Sequence, residues 1–197
     1  MKVGILGSGD VAKALGTGFV TLGHDVCLGS RAAGNPAAAE WAKGTHGKGS
    51  TGTFSAAASF GDVIVLATLG VSTVDALRLA GAEHFDGKVV LDATNPLAFS
   101  AQGLPSLAIG HTTSQGELNQ AAIPKAHVVK VFNTTGNANF FRPKFANGPP
   151  DMFICGNDAG AKKKVEAILH DFGWPSVIDI GGIEGSRELE ALCILWV

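Results

Sequence analysis

Cysteine is scarce in this chain, net charge nearly absent and long apolar runs missing, and each shortage removes a class of function. Cys27, Cys155 and Cys193 are odd in number, share no C-x-x-C spacing and fall inside apolar segments. Buried reduced thiols are therefore expected rather than disulfides or zinc ligands, and no metal site is expected. Fifteen basic side chains stand against 17 acidic ones, a formal charge of -2, with no basic run and no aromatic ladder. Nucleic acid and membrane surfaces are accordingly not expected as partners. The most apolar stretch, residues 63–74, is too short to span a bilayer, and a fold that starts at Lys2 or Val3 leaves no room for a secretory leader. A cytoplasmic protein is the expectation. The sequence also lacks internal repeats, a catalytic triad and paired carboxylates, so no catalytic side chain is assigned.

What is present is an ordinary globular composition, 46% hydrophobic over 197 residues, enough to bury a sizeable core. Short apolar runs at residues 3–6, 26–28, 63–67, 89–91 and 128–132 alternate with helical patterns, and a weaker strand is expected at residues 51–54 before an alanine-rich turn at 55–59. That alternation reads as an α/β fold, a Rossmann-type doubly wound, mainly parallel sheet covered on both faces. Helices are expected at residues 10–22, 36–43, 71–80 and 114–122, with Asn35 and Ser114 as caps. A long loop rich in Asn, Gly and Pro at residues 133–150 interrupts the alternation, and loops of that length are often functional. A β-α-β-α extension follows: strands at 152–155 and 176–180, and helices at 159–171 and from about Ile183 onward. The chain reads as one domain, residues 1–197, with 150–197 packed on it as the extension. In the last helix Leu189, Leu192, Cys193, Leu195 and Trp196 form an apolar stripe at spacings of three and four; it either docks on the sheet or pairs two copies, and a homodimer through this helix is expected. The stripe is still running at Val197, which leaves room for a natural end further on.

The sharpest motif is at the start. Gly7, Gly9 and Ala12 fit G-x-G-x-x-[G/A] between an apolar strand (Val3, Ile5, Leu6) and a helix with apolar spacing Val11, Leu15, Val20. In a dinucleotide site the first glycine makes a tight turn, the second lets backbone approach a pyrophosphate, and the small third residue lets helix and strand pack closely. The helix then aims its positive dipole end at the phosphates. The choice between NAD and NADP falls at the end of the second strand, where an acidic residue would hold a ribose 2'-hydroxyl. Here the chain reads Leu28-Gly29-Ser30-Arg31, without a carboxylate, and Asp25 lies at the strand's start. Arg31 can pair with a 2'-phosphate and Ser30 can donate a hydrogen bond, so NADP(H) is the expected cofactor.

Several further segments agree in order and spacing: Gly23-His24-Asp25 through Ser30-Arg31; Asp92-Ala93-Thr94-Asn95-Pro96; Val129-Lys130-Val131-Phe132-Asn133-Thr134; Met152-Phe153-Ile154-Cys155-Gly156-Asn157-Asp158; and Asp179-Ile180-Gly181-Gly182-Ile183-Glu184 through Arg187-Glu188-Leu189-Glu190 to Leu195-Trp196. With the opening turn they make nearly the whole chain resemble the NADPH-dependent reductases of the 5-deazaflavin coenzyme F420, and their close relatives, the NADP-binding domains of transmembrane ferric reductases. The resemblance implies that Ser8, Gly9, Asp10 and Val11 cover the pyrophosphate beside Gly7, and that Ser30 and Arg31 hold the 2'-phosphate. It further implies that Thr68, Leu69 and Gly70 pass along ribose and phosphates, and that Asn95, Pro96, Asn133, Thr134 and Gly136 line the nicotinamide end. Similar proteins usually carry a further stretch after the Leu-Trp segment. Independently, ligands of doubly wound sheets occupy the crevice beyond the carboxyl ends of the strands, although Thr94-Asn95-Pro96 and Asn133-Thr134-Thr135-Gly136 are also ordinary turn sequences.

The activity implied is hydride transfer between NADP(H) and a deazaflavin (coenzyme F420) or flavin, which needs two stacked rings about 3 to 3.5 Å apart and no protein acid or base. Two other readings remain: NADPH-dependent reduction of a small imine or carbonyl compound, and a non-catalytic NADP(H)-binding regulatory domain. Reduction of an imine or carbonyl would favour a proton donor, and His111 could supply it, though its place reads first as a loop histidine. Phe140 and Phe141 either wall the acceptor pocket or form a hydrophobic plug. Lys130, central in an apolar strand, either snorkels at the sheet edge or faces the cleft.

Overall fold

A computed structural model describes residues 1–197. The strands are β1 (Lys2–Leu6), β2 (Asp25–Ser30), β3 (Gly49–Thr53), β4 (Val63–Leu66), β5 (Val89–Asp92), β6 (Leu97–Phe99), β7 (Pro105–Leu107), β8 (His127–Lys130), β9 (Met152–Gly156) and β10 (Val177–Asp179). The helices are α1 (Asp10–Thr21), α2 (Pro36–Lys43), α3 (Phe54–Phe60), α4 (Thr73–Ala80), α5 (Gln115–Ala122), α6 (Ala159–Phe172) and α7 (Ser186–Cys193). Eight strands form one sheet in the order β10-β9-β8-β5-β4-β1-β2-β3, and β6 and β7 form a separate hairpin. Every pairing from β3 through β8 is parallel.

β9 runs antiparallel to β8, with Lys130 opposite Cys155, and β10 runs parallel to β9. The cause is the connection over residues 131–151. It holds one short 3-10 turn, Asn137–Asn139, and no crossover helix, so the chain returns from the same edge of the sheet it left. The extension thus joins the sheet in reverse.

Alternation along the strands builds a core on each face. Val3, Ile5, Val63 and Val65 point to one side, where they meet Ala12, Leu15 and Phe19 of α1 and Val165, Leu169 and Phe172 of α6. Leu6, Ile64 and Leu66 point to the other, against Ala57 and Ala58 of α3 and Ala76, Leu77 and Ala80 of α4.

Two expectations need correction here. Residues 55–59 are not a turn but the body of α3, capped by Thr53, whose Oγ1 accepts from the Ala56 N–H at 3.2 Å. Its alanines let the helix lie directly on the sheet: a Cβ added to Gly4 would stand 2.0 Å from the Ala57 carbonyl oxygen. The last helix is also shorter than expected. A 3-10 turn, Ile183–Gly185, precedes α7, which ends at Cys193. Its stripe divides: Leu189 and Cys193 are buried within the chain, whereas Leu195, Trp196 and Val197 are exposed. The Asn35 and Ser114 caps form as expected, accepting from the Ala38 and Glu117 N–H groups at 3.0 and 3.1 Å. The three cysteines are buried and free, and no helix is long and apolar enough to cross a membrane.

Candidate functional site

The carboxyl ends of β1, β2 and β4 open onto a cleft of about 970 Å³. Its floor is the turn from β1 into α1. Gly7 has φ +147°, and a Cβ there would lie 2.3 Å from the Ala67 carbonyl oxygen and 3.2 Å from the Ala12 Cβ, so only glycine fits. Gly9 is the opposite case, with nothing within 4 Å of an added Cβ. It is the N-cap of α1 and offers no side-chain cap, leaving the first amides of the helix free for an anion. Asp10 lines the cleft, but its carboxylate is paired with Lys13 at 2.8 Å; that hydrogen bond holds its pKa below the ordinary aspartate value.

One wall comes from the end of β2 and the turn into α2. Ser30 is buried and its hydroxyl donates to the Ala32 carbonyl at 2.7 Å, shaping the turn. Arg31 lines the cleft with no ion-pair partner. Asp25 sits at the start of β2, paired with Lys48 at 3.0 Å, so no carboxylate competes with Arg31 from this strand's end. The other wall is Thr68 and Leu69 after β4, followed by Ser72, Asp75, Ala76 and Leu79. Nine of the residues named from the sequence, Gly7, Ser8, Gly9, Asp10, Val11, Ser30, Arg31, Thr68 and Leu69, line this one cleft.

The cleft also includes Ala32 to Pro36, Phe54 and the α4 face, which sequence reasoning left out. Asn35 and Pro36 had a visible signal as the start of α2. Phe54 was read as the end of the strand expected at 51–54, whereas it opens α3.

Gly70, Asn95, Pro96, Asn133, Thr134 and Gly136 lie outside the lining of the cleft. They gather in a second cluster on the same edge of the sheet. The 3-10 turn Gly70–Ser72 packs on the β5 loop so closely that a Cβ on Gly70 would be 2.2 Å from the Asn95 carbonyl oxygen. Asn133 Nδ2 donates to Asn95 Oδ1 at 2.6 Å and to the Thr94 carbonyl at 3.3 Å. The Trp196 indole N–H donates to the Asn133 carbonyl at 2.9 Å, and a Cβ on Gly136 would lie 3.7 Å from the same ring. Thr134 Oγ1 donates to Met152 Sδ at 3.6 Å. Two features here are costly. Asn133 Oδ1 is buried without a donor, and Phe132, fully buried, has φ +67°; each costs about 1–3 kcal/mol.

Lys130 neither snorkels nor faces the cleft. It is completely buried, with Nζ 3.1 Å from Asp92 Oδ2, 2.8 Å from Glu190 Oε1 and donating to the Thr94 carbonyl at 2.8 Å. Burial opposes its charge, but the two carboxylates outweigh it and hold the pKa above the ordinary lysine value. Phe140 and Phe141 form a plug: their rings lie 4.9 Å from Phe132 and 5.3 Å from Phe172 respectively. His111 is an exposed loop residue at φ +61°.

Comparison with known proteins gives a consistent result. A family model described as NADP oxidoreductase, coenzyme F420-dependent, matches residues 2–96. A crystal structure from Arthrobacter sp. FB24, provisionally assigned as an F420-dependent NADP reductase, is 35% identical, with a TM-score of 0.92 over 99% of this chain and 91% of that one. Metalloreductase STEAP3 of Rattus norvegicus is 31% identical over 97% of this chain and 36% of its own length. The F420-dependent NADP reductase of Methanocaldococcus jannaschii is 30% identical over 72% of this chain and 63% of its own length. The chain therefore spans less than two thirds of either curated relative.

Proposed function

The chain belongs to the coenzyme F420-dependent NADP oxidoreductase family, and from that premise we propose that it transfers hydride between NADP(H) and a deazaflavin or flavin ring. The observation that carries the reading is one continuous cleft that joins an uncapped helix N-terminus to an unpaired arginine. The first suits a pyrophosphate, and the second suits a 2'-phosphate where a carboxylate would instead select NAD. The open space at Gly9 is the approach such a group requires.

In this reading the amides of Ser8 to Val11 bind the pyrophosphate, and Arg31 binds the 2'-phosphate together with Ser30, whose hydroxyl turns to it from the Ala32 carbonyl. Asp10, neutralised by Lys13, adds little repulsion there. Thr68 to Gly70 guide the ribose toward Asn95, Pro96, Asn133, Thr134 and Gly136, which receive the nicotinamide. The bound nucleotide supplies the hydride; the chain's part is orientation and exclusion of water. The amide pair of half-buried Asn95 and buried Asn133 gives that end a rigid polar frame. A cytoplasmic location and a homodimer contact through the exposed Leu195, Trp196 and Val197 belong to the same proposal.

The test mixes the protein with NADPH and, in turn, coenzyme F420, FMN and FAD, following loss of NADPH absorbance. Oxidation with at least one acceptor is expected. None with any of the three would sink the reading.

A further inference from the structure

Lys130 closes β8, whose other core residues are valines. Burying an ammonium with two carboxylates rarely stabilises a fold more than an apolar residue of similar volume would, so its place in the fold calls for another explanation. The network lies at the carboxyl ends of β5 and β8, the edge that carries the candidate site. We propose that Lys130 is a positioning residue for the hydride-transfer end of the cleft, fixing the Thr94 carbonyl and through it the Asn95–Asn133 amide pair. This rests on reading that pair as the nicotinamide end.

Every polar atom of Thr94 is engaged. Its N–H and hydroxyl donate to Asp92 Oδ1 at 2.9 and 2.6 Å, while its carbonyl accepts from Lys130 Nζ at 2.8 Å and Asn133 Nδ2 at 3.3 Å. Asp92 is itself held by Asn119 Nδ2 at 2.8 Å. Glu190 is held by the Gln115 and Gly116 N–H groups, each at 2.9 Å. Lys130 thus ties α5 and α7 to one carbonyl, and that carbonyl orients Asn133. The strain beside it, a left-handed Phe132 and a donorless Asn133 Oδ1, persists only if the surroundings over-determine it, and Lys130 provides that constraint.

Lys130→Met keeps the stem and removes the ammonium; Glu190→Gln retains an acceptor for Lys130 without the charge. Three readouts are taken: affinity for adenosine 2',5'-bisphosphate, which reports the Arg31 end alone; the emission anisotropy of bound NADPH, which reports how tightly the nicotinamide is held; and turnover. In Lys130→Met the bisphosphate affinity stays within about twofold of wild type, as expected of a distant site. Anisotropy falls, and kcat drops about tenfold to a hundredfold with a smaller change in KM, as misplacement of reacting groups requires. Glu190→Gln changes in the same direction by less, and it decides the matter if Lys130→Met fails to fold. Unchanged anisotropy and kcat overturn the proposal, and so does a parallel loss of bisphosphate binding, which would mark a purely structural role. Wild-type protein that oxidises NADPH with no acceptor sinks the acceptor reading instead, and anisotropy then decides for Lys130.

Discussion

At the scale of single residues, the site depends on which atoms have no room and which have no partner. Gly7 has no room: its positive φ and the Ala67 carbonyl 2.3 Å from an added Cβ mean that Gly7→Ala lowers stability by about 1–3 kcal/mol. A thermal melt with an NADPH titration checks this, with nucleotide binding lost alongside. Arg31 has no partner, so its guanidinium is available to a 2'-phosphate. Removing a hydrogen bond to a charged group costs about 1.5–3 kcal/mol. Arg31→Ala is therefore expected to weaken NADPH binding roughly tenfold to a hundredfold, by the usual conversion of free energy to affinity, while leaving NADH nearly unchanged. Fluorescence titration of both nucleotides tests it, and equal loss for the two would refute the 2'-phosphate role. Both residues were legible in the sequence because their signals are local. Lys130 was visible as an anomaly, but its partners were not: Asp92 and Glu190 are far from it along the chain.

At the scale of elements, α7 is joined to α5 by more than apolar contact. Arg187 Nε donates to Glu117 Oε2 at 2.8 Å and its Nη2 to Oε1, with the two side chains 35% and 22% exposed. The Arg187 hydrogen bond holds the Glu117 carboxyl below its ordinary value, against the opposing effect of burial. A lowered carboxyl pKa stabilises the fold fully above the unfolded value of about 4.3, and the contribution is lost as pH falls through the lower, folded value. At this exposure the pair is worth up to about 1 kcal/mol. Glu117→Gln should therefore melt below wild type at neutral pH, with the gap closing as pH drops below the ordinary glutamate range; a constant gap would contradict the linkage. Besides the shortened last helix and the β6–β7 hairpin, for which the sequence raised no expectation, the element misread from sequence is α3. Thr53 as a cap and the helix propensity of the alanine run were signals in its favour, but its short length and lack of a bulky apolar stripe concealed it. It packs through backbone contact with Gly4, which no apolar periodicity records.

At the scale of the whole molecule, the fold places two clusters of different character along one edge of the sheet: an open cleft and a partly buried amide frame beyond it. A ligand that binds only the folded state stabilises it by about 2.7 kcal/mol at one hundred times its Kd. For a chain of this size NADPH at that level should raise the melting temperature by roughly 5–10 °C, NADH at the same concentration should raise it less, and Arg31→Ala should abolish the difference. The parallel α/β alternation, the glycine turn, the missing carboxylate after β2 and most element positions follow from the order of residues alone. Periodicity, caps and turn chemistry are properties of neighbouring residues. Only packing sets the reversed direction of β9, the division of the C-terminal apolar stripe into a half buried in α7 and an exposed half beyond it, the pairing of Asn95 with Asn133 and the burial of Lys130 between Asp92 and Glu190. These join residues brought together only when β5 and β8 pair and α7 packs against α5, so no local pattern carries them.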